Sequence, residues 1–147
     1  MIISSHQKEQ LIKVFEACLF GVVCTNSQDG LSPESAVVAV SYTGNLEIVF
    51  GSFDVSRKNK NIQANQYVSL VIGWDNTNKT TVQIEGKAVL LDGEERKNCE
   101  RRHCQRNPES EKFLSDPRQQ YFKVIPHWIR YSNFSVNPQE VWEIIDD

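Results

Sequence analysis

The spacing of apolar positions changes once, near Leu19. Before it, Leu11, Val14, Phe15 and Cys18 recur at three- and four-residue intervals, the repeat that lines one face of a helix. Ser4 followed by Gln7 matches a capping box, so a short first helix is predicted. After Leu19 the apolar residues become β-branched and aromatic, in runs split by turn residues. The segments LFGVVCT, SAVVAVSY and LEIVFGS are separated by Asp29-Gly30 and Gly44-Asn45, which predicts an antiparallel meander. YVSLVIGW, a polar DNTNK turn and TTVQIEGKAVLL add two strands, with Val82, Ile84, Ala88 and Leu90 expected on one face. YFKVIPHWIRYSNF and VWEII close the chain as strands. Pro126 lacks a ladder donor, so it implies a bulge or an edge.

Two segments break the β pattern late in the chain. GEERKNCERRHCQR mixes charge signs and holds almost nothing apolar, which predicts a helix lying on the surface. NPESEKFLSDP reads as a loop with at most a short helix. The expected fold class is therefore mainly β, a split or nearly closed antiparallel barrel of six to seven strands with a few short flanking helices. It forms one domain over residues 1–147.

Composition narrows the function classes. The chain has 147 residues and a formal net charge of −3, so there is no overall basic field to attract nucleic acid or an anionic membrane. No apolar run approaches the roughly 18 residues of a membrane span, and MIISSHQKEQ lacks the pattern of a secretory signal. A cytoplasmic location with reduced Cys18, Cys24, Cys99 and Cys104 is expected. Cys99, His103 and Cys104 lie close in sequence, but they are too few for a structural zinc site, and Arg101 and Arg102 would repel the metal. They are expected as residues of a surface helix. His6 and His127 show no partner for catalysis, and neither a Gly-rich phosphate loop nor a nucleophile elbow occurs.

The segment SFDVSRKNKNIQAN carries the strongest chemical signal. With Ser56 as cap of a helix running to about Asn65, Arg57, Lys58 and Lys60 crowd the first turn, where the helix dipole favours acidic side chains. A bound phosphate would resolve the conflict, receiving backbone N–H groups, serine hydroxyls and cations at one point. The alternative from this segment alone is a solvated basic turn.

FGSFDVSRKNKNIQANQYVSLVIGW, with VQIEGKAV and WIRYSNF, resembles the pyridoxamine 5′-phosphate oxidase-like family of FMN-binding split barrels. The likeness runs from about Leu19 to Ile144. It implies that Ser56, Arg57 and Lys58, with Ser52 beside them, hold the phosphate of FMN. It implies a flavin ring near Val37, Val38 and Gly51, with a hydrogen bond from Thr81 or Gln83. It also implies a homodimer in which Trp128 and Arg130 of the second subunit cover the ring, although a packed Trp with a snorkelling Arg is the alternative for that pair. Two departures limit the likeness. AVVAVS stands where the true oxidases carry an Arg and a Lys, and their terminal Arg-x-His substrate motif is absent, so pyridoxamine phosphate oxidation is not expected. The expected activity is FMN-dependent oxidoreduction with a small-molecule redox substrate or electron donor. The alternatives are a non-catalytic flavin carrier or stress-related sensor, and a deazaflavin or haem binder on the same scaffold.

Overall fold

A computed structural model describes residues 1–146. Helix α1 (Ser5–Ala17) begins where expected: Gln7 N–H donates to Ser4 Oγ at 3.2 Å, and Ser4 N–H donates to Gln7 Oε1 at 3.0 Å. The box satisfies two end donors that the helix itself cannot pair. Leu11, Val14 and Phe15 are buried beneath it. Strands β1 (Phe20–Asn26), β2 (Pro33–Ala39), β3 (Ser41–Tyr42) and β4 (Ile48–Phe53) follow, then helix α2 (Arg57–Ala64). Strands β5 (Tyr67–Gly73) and β6 (Thr80–Leu90) lead to α3 (Gly93–Arg106) and a 3-10 turn at Pro108–Phe113, and β7 (Gln119–Asn133) and β8 (Glu140–Ile145) finish the fold.

All eight strands belong to one antiparallel sheet in the order β2-β1-β5-β6-β7-β4-β3, with β8 on the free part of β7. The sheet curls into a split barrel in which one edge strand, β2, meets β4 near the other edge without a ladder between them. The expected run SAVVAVSY is broken at Val40, and the two-residue β3 raises the strand count to eight. Inward positions form the core: Val23, Phe50, Leu70, Ile72, Val82, Ile84, Phe122 and Ile129 are all nearly inaccessible. Each such side chain contributes on the order of 2 kcal/mol by leaving water. Val82, Ile84 and Ala88 share the buried face as expected, whereas Leu90 lies at the end of its strand, past the core, and is half exposed.

Pro126 sits at a bulge. The register between β6 and β7 shifts at Glu85/Gly86, so that Glu85 faces Trp128 and Gly86 faces Pro126, with His127 as the extra residue. An unpaired residue on one strand is how a ladder accommodates a proline that has no N–H to donate.

Helix α3 corrects the expectation of a surface helix. It packs on the outer face of β4 and β7, where Val49, Leu91, Cys99 and Tyr121 form a second apolar cluster. His103 is 2% exposed and Cys104 is also buried. The stripe is made of Cys and His, small or polar side chains that bury well once partnered. His103 Nδ1 meets Ser41 Oγ at 3.0 Å, and Asn107 Nδ2 donates to the Val40 carbonyl at 3.2 Å. Arg106 ties the helix to α1, donating to the Phe15 carbonyl and, at 3.1 Å, to that of Cys18. No group of side chains suited to a metal ion occurs among the described residues. No described helix is long and apolar enough to cross a membrane.

Candidate functional site

The β4–α2 junction gathers the serines and cations that the resemblance assigns to a phosphate. Near the end of strand β4, Ser52 points inward and is buried, and four residues later Ser56 caps α2 by accepting from Asn59 N–H at 3.3 Å. The two hydroxyls lie 2.7 Å apart. The first turn of α2 holds no acidic residue, and the N–H groups of Arg57 and Lys58 precede any possible intrahelical acceptor. Dipole, open donors and hydroxyls therefore converge on one point.

The three cations of this turn behave differently. Lys60 is exposed. Lys58 is half-buried, burial pushes its ammonium below the ordinary pKa, and it forms no ion pair among the described residues. A partly desolvated cation without a counter-ion is unfavourable unless something anionic arrives. Arg57 already has a partner: its Nε donates to Glu34 Oε2 at 2.9 Å. Asp54, just before this turn, keeps a buried Oδ1 with no hydrogen-bond partner among the described residues, an acceptor in want of a donor.

A polar network missed in the sequence fixes this turn from beneath. Asn59 and Asn61 are buried on the inner side of α2. Asn59 donates to Gln120 Oε1 at 2.7 Å, and Asn61 donates to Thr25 Oγ1 at 3.0 Å and to Glu34 Oε2 at 2.6 Å. The available signal was the composition of the helix: Asn is a poor helix former, so two in eight residues need a reason. Bonds to β1, β2 and β7 supply it.

The remaining candidates lie on the outer face of the sheet. Successive ladders place Val37, Val22, Val71, Gln83, Arg130 and Glu143 in one transverse row from β2 to β8. Arg130 Nη1 donates to Glu143 Oε1 at 2.6 Å. Trp128 and Thr81 flank the row on the same face. Val37 is 71% exposed, whereas Val38 points into the core, so only the backbone of Val38 is open to a ligand. Gly51 is covered rather than open: a Cβ there would lie 2.5 Å from the Gln119 side-chain nitrogen. Along the curled sheet four strand spacings separate Val37 from Arg130, about 19 Å of arc, so Trp128 and Arg130 point outward from a different part of the barrel surface than Val37.

The bulge turns His127 onto this outer face beside Glu85, with 3.9 Å between Nε2 and Oε2. His127, Glu85, Ser69 and Cys24 line a hollow of about 330 Å3 that extends to Thr25 and Pro33, next to Glu34. Helix α3 covers the β4–β7 side of the outer face, but Phe20, Val22, Val37 and Val71 remain exposed.

This eight-stranded split barrel with a few flanking helices defines a fold class shared by many solved structures. Residues 7–133 match the model of the pyridoxamine 5′-phosphate oxidase family, and the chain belongs to that family. A search of curated protein sequences returns no significant match. Among solved structures, a haem-binding protein from Mycobacterium smegmatis superposes with a TM-score of 0.81 at 12% identity, covering 99% of this chain and 60% of its own. General Stress Protein 26 from Bacillus anthracis aligns with a TM-score of 0.72 at 21% identity over 95% of this chain and 99% of its own. PhzG from Burkholderia lata, solved with tetrahydrophenazine-1-carboxylic acid, gives 0.68 at 17% identity over 95% and 82%. At these identities the likeness is one of fold.

Proposed function

We propose that the chain binds FMN through its phosphate at the β4–α2 junction and works as a flavin-dependent oxidoreductase. The observation that carries this reading is the Ser52–Ser56 hydroxyl pair at the open N-terminus of α2, followed two residues later by Lys58, a half-buried cation without a counter-ion among the described residues. Phosphate supplies the missing charge and accepts from the open N–H groups of the first turn. The orphaned Asp54 oxygen suits a hydroxyl donor, which the sugar-alcohol chain of FMN offers.

A bound flavin supplies the electron transfer. The chain's own residues hold and screen it: Ser52, Ser56 and Lys58 anchor the phosphate, and Thr81 and Gln83 offer hydrogen bonds on the outer face. Trp128 and Arg130 point outward from a different part of the barrel surface than Val37, so in this reading those that cover the ligand come from a second copy. The exposed valines of the row are the surface on which that copy docks, in a two-fold homodimer. The partner substrate is a small redox molecule or electron donor.

A visible spectrum of purified protein is the first test, with a flavin band expected, or one acquired on adding FMN. Riboflavin should bind at least tenfold more weakly, because each charge-assisted bond to phosphate contributes about 1.5–3 kcal/mol. Equal affinity for the two removes the phosphate assignment. Oxidation of reduced nicotinamide, with and without acceptors, separates an enzyme from a flavin carrier. The second reading is haem, favoured by the fold of the Mycobacterium smegmatis protein and by His127 beside the outer hollow as a candidate ligand. A Soret band in place of flavin absorbance decides for it.

A further inference from the structure

We infer that Glu34 is a built-in competitor for the phosphate, holding Arg57 and so setting the anion affinity of the site. This deepens the phosphate reading and rests on it. The two members of the ion pair are unequally free. The Glu34 side chain is 19% exposed and that of Arg57 is 71% exposed. Asn61 donates to the same Oε2 at 2.6 Å, and Asn61 is itself buried and bonded to Thr25. The carboxylate is therefore pinned, while the guanidinium is the end that can move.

A phosphate arriving at the Ser52–Ser56–Lys58 cluster meets an Arg57 whose charge is already matched. To recruit it, the ligand must draw the guanidinium from Glu34 or share it, and must sit near a fixed negative charge. A like charge in a partly exposed setting weakens an anion's binding, here by about tenfold. The penalty falls equally on inorganic phosphate and on a phosphate carried by a flavin, but only the flavin has other contacts to hold it, so the free ion loses useful affinity first. Glu34 thus sets the anion affinity of the site without touching the ligand.

The opposite role is also chemically sensible, since a carboxylate beside an Arg can orient it toward phosphate. The sign of one substitution separates the two. Glu34→Gln keeps an oxygen for Asn61 and removes the charge. Titrations of FMN, riboflavin and inorganic phosphate into wild type, Glu34→Gln and Lys58→Ala, with circular dichroism as a check on folding, provide the test. Competition predicts that Glu34→Gln binds FMN and inorganic phosphate about tenfold more tightly and leaves riboflavin unchanged. Unchanged or weaker FMN binding by folded Glu34→Gln, with Lys58→Ala still weakened, overturns the competitor role and leaves the phosphate site standing. FMN binding that is absent from every protein, or insensitive to Lys58→Ala, overturns the phosphate reading and this inference with it.

Discussion

His103 Nδ1 lies 3.0 Å from Ser41 Oγ at the base of α3, in a place where neither side chain reaches solvent. Burial, with the nearby Arg106 charge, pushes the imidazole from its ordinary 6.5 down to about 4. Its folded pKa is thus below its unfolded one, so between about 6.5 and 4 the unfolded chain takes up a proton that the folded chain refuses. Stability is full above pH 6.5 and falls as the pH drops through that window, by about 3 kcal/mol for this group. Denaturant melts from pH 7.5 to 4 should show the loss, and His103→Gln should flatten the curve across that range. An unaltered pH profile in the variant would show that other groups set the acid sensitivity.

Lys58 should trade stability for binding. In the ligand-free protein it is a half-buried cation in the first turn of α2 with no acidic neighbour on that turn. Lys58→Ala should therefore leave the apo melting temperature unchanged or slightly raised, while FMN affinity drops ten- to a hundredfold. Thermal melts with and without FMN read both effects: the ligand-induced rise shrinks and the baseline does not. A solvated basic turn predicts equal FMN shifts in both proteins.

The homodimer can be addressed through Val71, near the middle of the transverse row and exposed in the single chain. Val71→Asp introduces a charge on a surface position, so it should leave the fold intact. Buried between two copies it would be strongly unfavourable. Light scattering should give a dimer for wild type and a monomer for the variant, with matching circular dichroism. A wild-type monomer at micromolar concentration refutes the dimer.

Gly86 is required by the bulge. A Cβ there would stand 2.8 Å from Val124 Cγ1 and against the Ile125 carbonyl oxygen. Backbone on the facing strand cannot swing aside, so Gly86→Ala should cost about 2 kcal/mol or more. A melting-temperature drop of roughly 5 °C or more is expected. A smaller change would mean that the bulge can relax.

The barrel was legible because its strands carry β-branched runs bounded by turn pairs, and Pro126 announced the bulge. Helix α3 was misplaced because its buried stripe is only Cys99, His103 and Cys104, with none of the large aliphatic side chains that mark α1 and with a polar imidazole that a hydrophobic pattern does not register. The serine–lysine cluster was readable from one continuous segment. Its restraint by Glu34 was not, since 23 positions separate Glu34 from Arg57 and only packing of α2 against β2 brings them together. The outer row needs four ladders, each with its own register, before Val37 and Arg130 can be seen as its members.

Strand β7 bears on the order in which this protein can be made. Its 15 residues pair with β4, β6 and β8, and β4 has no other ladder partner except the two-residue β3. Strands β2, β1, β5 and β6 need nothing beyond Leu90 to pair with one another. A chain leaving the ribosome can therefore assemble that half-sheet early. Strand β4 has only the two-residue β3 as a ladder partner until residues 119–133 emerge, although α2, which follows it, can already bond Thr25 and Glu34 through Asn61. The anion-binding turn between them is therefore held first from its helix side, and its strand side, encoded before the middle of the chain, closes last.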